Sequence, residues 1–280
     1  MDEKKVVTPV QPYLRLDAED YKEILNKRMG ISSFYEFQVK DQTQNSFKAV
    51  PDGSTDLKVL IGGTVLRAKN WDFDDGRYYF GARFLPGRCI LPKDLSIQDV
   101  VNNDVEIDLN DYGAGLTDRI AEAEDVKQRA QILMSYLSEN QKGSCRDGAH
   151  TLEEYMRQRI YATKGNITIG MLSRETGYSE CYIRRIFKQI HGISPKEFER
   201  FIRFQAFLNE ITAAPGQADS EETALNCGYY DQSHMLKDFR AFAGTTPERY
   251  KKRICDGSDR RAAHTTINKQ KENTHGIIKN

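Results

Sequence analysis

What this sequence lacks narrows its function before any motif is read. It has no net charge, since 41 Lys and Arg balance 41 Asp and Glu, so the whole molecule favours no polyanionic or polycationic partner. No stretch approaches the roughly 18 consecutive apolar residues of a membrane span. The opening MDEKKVVTPVQPYLRL has no apolar core of a secretory signal. A cytoplasmic protein with no membrane partner is the expectation.

Cysteine is equally uninformative as a scaffold. Cys89, Cys145, Cys181, Cys227 and Cys255 are odd in number, far apart and never in a C-x-x-C pair, which supports neither a disulfide framework nor a zinc site. His150, His191, His234, His264 and His275 show no metal spacing, and each is expected to be a surface or turn residue. WDFDDG resembles the start of a calcium loop, but Arg83 stands where the closing Glu would be needed. G-x-G-x-x-G, P-loop, G-x-S-x-G and H-E-x-x-H motifs are all missing. No metal and no cofactor is implied, and an enzyme built on the N-terminal region is the weaker reading.

What is present divides into two parts. From Thr151 to Arg253 there are 16 basic and 13 acidic residues, a balance of +3, against 20 and 25 in the first 150, a balance of −5. The C-terminal part thus has the sign a nucleic-acid reader needs. The N-terminal part reads as strands: SFYEFQVKD (Ser33 to Asp41), FKAVP (Phe47 to Pro51), the apolar run Leu57 to Ile61, and RYYFGARFLPG after the Asp75-Gly76 turn signal. An antiparallel barrel or sandwich is expected. Its aromatics Tyr35, Phe37, Trp71 and Tyr79, with Phe34, Tyr78 and Phe80, are either core or the lining of an effector pocket.

The period changes from Ser96 onward. SIQDVVNND reads as a short helix. Leu116, Ile120, Ala123, Val126, Ala130, Leu133 and Leu137 form an apolar stripe at helical spacing on one helix or two. Such a stripe packs on its own domain or makes a homodimer seam through 116–137. The polar GSCRDGAHT places a boundary near residues 142 to 150.

Beyond it every segment reads as helix. Leu152, Tyr155, Met156, Ile160 and Tyr161 share one side of the first. Thr168 and Ser179 are candidate N-caps, Ser194-Pro195-Lys196-Glu197 is a capping box with proline at the first helical position, and a long helix runs to about Thr212. After Pro215-Gly216 follow a short helix ending at Cys227, one from about Asp231 to Phe242, and one opened by Thr246-Pro247. The polar tail from 254 lacks an apolar period and is expected to be disordered.

Two stretches repeat one grammar. GYSECYIRRIFKQIHGISPKEF begins at Gly177 and GYYDQSHMLKDFRAFAGTTPERY at Gly228, an offset of 51. Phe187 and Phe239, Gly192 and Gly244, Pro195 and Pro247, and Phe198 and Tyr250 share an offset of 52. Each copy spells a short helix, a glycine turn, a second helix with basic residues, another glycine and a proline-started bracing helix. That is the helix-turn-helix plan, whose second helix enters the major groove. Ile183, Ile186, Phe187, Met235, Phe239 and Phe242 recur at buried-stripe spacing and are expected in the core. The second leading helix has Ser220 and Thr223 where the first has Ile169 and Leu172, so looser packing is expected there.

These motifs resemble the DNA-binding domain of the AraC/XylS family of bacterial transcription regulators, a likeness covering about a hundred residues from Leu152. VPDG (Val50 to Gly53) and FGARFLPG (Phe80 to Gly87) resemble an N-terminal domain often fused to it. The resemblance implies an α+β chain: a β-rich effector, partner or dimerisation domain with C-terminal helices over 1–145, then an all-α domain over 146–253 of two helix-turn-helix units joined by a long helix, then the tail 254–280. It implies double-stranded DNA as partner, with RNA polymerase and a small-molecule or protein effector as further ones, and activation as the sense of regulation. It places Glu180, Cys181, Arg184, Arg185 and Lys188 of the first unit, and Gln232, Ser233, Lys237 and Arg240 of the second, at the DNA. An effector-independent architectural DNA-binding protein is the alternative.

Overall fold

The computed structural model describes residues 19–26, 28–38, 46–49, 55–57, 60–62, 66–67, 69–72, 78–92, 94–140, 148–213 and 220–255. The tail from 256, Val50 to Gly53, the Asp75-Gly76 turn, Pro215-Gly216 and the Trp71 side chain lie outside the described residues, as do 141–147 within the expected boundary.

The N-terminal part is built on strands β1 (Glu19–Leu25), β2 (Ile31–Gln38), β3 (Ser46–Ala49), β4 (Thr55–Leu57), β5 (Leu60–Gly62), β6 (Lys69–Asp72), β7 (Tyr78–Phe84) and β8 (Asp104–Glu106). Six form one sheet in the order β1-β2-β7-β4-β5-β8, and β3 pairs with β6; every pairing is antiparallel. The apolar run Leu57 to Ile61 is split between β4 and β5, which pair with each other. An apolar run specifies burial but not where the chain reverses.

Strand β2 is buried on both faces, which suits its aromatic content. Opposite Tyr35 stands Gly81, where an added Cβ would lie 2.5 Å from the tyrosine ring. The short residue lets the ring lie flat across the neighbouring strand.

Helices α1 (Ile97–Val100), α2 (Leu116–Glu122) and α3 (Val126–Asn140), with a 3-10 turn at Leu109–Tyr112, complete this part. The apolar stripe resolves into α2 and α3. Leu116, Ala130, Leu133 and Leu137 are buried together with Ile31, Phe34, Ala82 and Phe84 of the sheet. The stripe is therefore used within its own domain, and a homodimer would need another surface. Buried Glu36 secures the packing by accepting from Arg129 of α3 at 3.0 Å and Lys22 of β1 at 2.9 Å.

The C-terminal part is all helix: α4 (Gly148–Ala162), α5 (Ile169–Thr176), α6 (Glu180–His191), α7 (Pro195–Ala213), α8 (Ser220–Asn226), α9 (Gln232–Ala243) and α10 (Pro247–Cys255). Local chemistry sets these boundaries. The Thr168 side chain accepts from the Met171 amide and that of Ser179 from the Tyr182 amide, and Ser194 and Glu197 close the capping box in both directions. Tyr155 departs from its expected buried side: it is 39% exposed and its hydroxyl donates to Glu175 at 3.0 Å.

A second core runs through α4 to α10, with α7 as its axis. Phe198 packs on Phe187 of α6, while Phe201 and Phe204 meet Phe242 of α9 edge to face. At 19 residues, α7 is about 28 Å long at 1.5 Å rise per residue. Among the described residues no helix is long and apolar enough to cross a membrane.

Candidate nucleic-acid interface

Helix α6 presents two chemically distinct sides. Ile183, Ile186 and Phe187 are buried, as their spacing predicts. Cys181, Arg184, Arg185 and Lys188 are exposed, while Glu180 is half-buried at the helix start. Gly177 ends α5 in the left-handed region at φ 76° and donates its amide to the Ser173 carbonyl. A turn this tight favours glycine and throws α6 across α5.

Two contacts order the basic side chains before any ligand arrives. Arg184 donates to Glu180 one turn earlier at 2.7 Å, and the Arg185 guanidinium lies over the Tyr182 ring, 5.1 Å from its centroid. Tyr182 in turn stacks on Tyr178 at 5.0 Å.

Helix α9 repeats the plan with different residues. Its N-cap Asp231 accepts from the His234 amide, and its C-cap Gly244 is left-handed like Gly192 of α6. Met235, Phe239 and Phe242 are buried; Gln232, Ser233, Lys237 and Arg240 are exposed. Asp238 stands where α6 has Ile186 and is buried, its charge met by Arg200 of α7 at 2.5 Å. Tyr229 is also buried, its ring under the Arg203 guanidinium and edge to face with Phe207.

The second leading helix contributes less to the core, as its sequence predicts. Within α8 only Ala224 is buried, whereas Leu172 of α5 is fully buried and Ile169 packs beside it. Glu221 and Glu222 are exposed in its first turn, where a helix N-terminus favours negative charge.

All nine side chains assigned to DNA therefore fall on two helices of the same kind, both braced by α7. Sequence reasoning passed over Tyr178 and Tyr230, which directly precede the two N-caps and are 45% and 87% exposed. Their matching place in the two repeats was the available signal. Of the effector candidates, Tyr35 and Phe37 are buried and stack with one another at 6.4 Å, and Tyr79 stacks on Phe37 at 5.3 Å. This stack is sheet core. Among the described residues no three His, Cys, Asp or Glu side chains converge as a metal site.

His191 overturns its sequence reading. It is 2% exposed rather than a surface residue, and its Nε2 lies 2.9 Å from Glu153 Oε1. Burial holds the imidazole below its usual range, against the hydrogen bond and charge of Glu153, which raise it. Burial pushes Glu153 up, but the hydrogen bond and charge of His191, followed by the charges of Arg157 and Arg88, outweigh it and hold the carboxyl below its usual range.

Residues 172–253 match a family described as a helix-turn-helix domain. No curated protein matches the chain in sequence. Among solved structures, ToxT from Vibrio cholerae is similar at 10% identity, covering 83% of this chain and 98% of that one with a TM-score of 0.40. A crystal structure of ToxT from Vibrio cholerae O395 is similar at 12% identity, covering 85% and 94%, also with a TM-score of 0.40. The helix-turn-helix match spans the α6 and α9 units and the helix α7 that joins them.

Proposed function

We propose that the chain reads a specific DNA sequence by inserting α6 and α9 into successive major grooves, and that its N-terminal domain couples an effector or protein partner to transcription activation. The observation that carries this reading is the matched outward presentation of Arg184, Arg185 and Lys188 on one helix and Gln232, Lys237 and Arg240 on the other. Arginine suits bidentate contact with guanine and glutamine with adenine, whereas lysine serves base or phosphate. Half-sites about 34 Å apart, one turn of B-DNA, are the geometric expectation for such a pair.

The balance of only +3 over Thr151 to Arg253 favours shallow non-specific affinity, so specificity has to come from base contacts. Selecting bound fragments from the host genome tests this. A recurring bipartite site supports the reading, and indiscriminate enrichment at physiological salt removes it. Melting and operator affinity measured across a metabolite library address the sensing half. A ligand that shifts both supports sensing, and none would leave an architectural DNA-binding protein.

A further inference from the structure

The first reading helix is held by more than its own bundle. At its C-terminal end, Gln98 of α1 donates its side-chain amide to the Lys188 carbonyl at 3.1 Å. That carbonyl also accepts from the C-cap Gly192 amide at 2.8 Å, so Gln98 adds a second donor to the helix end, supplied from the N-terminal domain. The C-cap Gly192 is also the point of closest approach. A Cβ there would stand 2.3 Å from Val101 Cγ2, immediately after α1, so only glycine admits this packing.

A second contact closes the same end from another side. Gly87, at φ +69°, lies against the His191 ring, where a Cβ would stand 2.6 Å from Cε1. The next residue, Arg88, reaches Glu154 of α4 at 3.4 Å. The Phe-Leu-Pro-Gly turn of the N-terminal sheet thus seals the pocket in which His191 stacks on Phe187 at 4.0 Å. The second unit carries Ala243 in place of His191, and its C-cap Gly244 is exposed.

What this joint leaves open decides its meaning. Cys181, Arg184, Arg185 and Lys188 remain exposed with the N-terminal domain in place. A masking domain would cover them; this one grips the end of the helix and leaves its reading side clear.

We propose that the N-terminal domain is a positioning element of the first recognition helix, its Gly87-Arg88 turn and Gln98 holding α6 in the DNA-reading arrangement. A shift of that domain would then act on the first half-site and spare the second. This rests on the reading of α6 as a DNA-contacting helix.

The test uses the full chain, Gly87→Val and Gln98→Ala, and a genome-selected fragment with either half intact or scrambled. Gly87→Val drives a branched side chain into His191 at a left-handed position; Gln98→Ala removes only an exposed amide. Hydrogen exchange at the last turn of α6, measured without DNA, should accelerate in Gly87→Val. Binding should weaken by about tenfold in Gly87→Val, within the usual range of coupling between sites, and less in Gln98→Ala. The loss should vanish when the half under α6 is scrambled and persist when the other half is. Tighter binding, equal loss on both halves, or faster exchange with unchanged binding would each overturn the proposal. If Gly87→Val melts the N-terminal domain, Gln98→Ala decides alone. Failure of Arg184→Ala and Arg185→Ala to affect binding would instead remove the DNA-reading assignment of α6, leaving the exchange result intact.

Discussion

Glu180 and Arg184 are joined at 2.7 Å one turn apart on the outward side of α6, both about half exposed. An ion pair this exposed contributes under about 1 kcal/mol to stability. On the proposed reading its weight lies in the encounter with DNA, where Arg184 would exchange Glu180 for a base or phosphate. Arg184→Ala and Arg185→Ala are each expected to weaken binding by about 1–3 kcal/mol if they read bases, with relaxed preference at particular positions. Equal losses on specific and random duplex would assign them to phosphate. Glu180→Gln should strengthen binding to both duplexes, since it frees Arg184 and removes a negative charge near the backbone. Titrations on the two duplexes separate these outcomes.

The helix-turn-helix units were legible because their signals are local. Caps Thr168, Ser179 and Ser194 and the turn glycines Gly177 and Gly192 act within one helical turn of their own position, so sequence spacing alone locates them. Burial of His191 was not legible, because it depends on Glu153 from α4 and Gly87 from the sheet, both remote in sequence. Strand β1, EDYKEIL, was missed for a related reason. Its charged residues give little strand signal, and its register comes from pairing with β2. The split of Leu57 to Ile61 into β4 and β5 likewise follows from partners that the run itself does not specify.

Acidification should loosen the joint between the N-terminal domain and α6. Burial lowers the His191 pKa, so its contribution is present above the ordinary value of 6.5 and is lost as pH falls below it. Glu153, held below its ordinary value, loses its contribution only at lower pH. The charged groups around the imidazole are Glu153 and Arg157 of α4 and Arg88 of the turn. The two arginines further disfavour an imidazolium. Urea unfolding of the full chain from pH 7.5 to 5.5 should show falling stability, and His191→Gln should flatten that fall. An unchanged slope would assign the pH dependence to other groups.

The buried pair Asp238 and Arg200 marks where the second unit differs chemically from the first. Asp238 is 1% exposed but Arg200 is 35% exposed, so Arg200→Ala should cost about 2 kcal/mol, below the 3–5 kcal/mol of fully buried pairs. The first unit shows the apolar alternative, with Ile186 buried at the matching position. Asp238→Ile combined with Arg200→Met should therefore recover most of that loss. Thermal melting of Asp238→Ile, Arg200→Met and the double variant gives the coupling, and additive losses would show that the charges are not paired in solution.

Helix α7 joins the two units in one core, because Phe204 meets both Phe239 and Phe242 of α9 while Phe198 holds Phe187 of α6. Phe204 is fully buried, so Phe204→Ala should destabilise the helical domain by about 3–5 kcal/mol through lost contact and the cavity left behind. Since one continuous core joins the units, the loss should not stay in the second. Hydrogen exchange under conditions that report global opening should speed up in α6 as well as α9. Acceleration confined to α8, α9 and α10 would mean that the units open independently. In that case α7 would serve as a spacer between two separately folding readers.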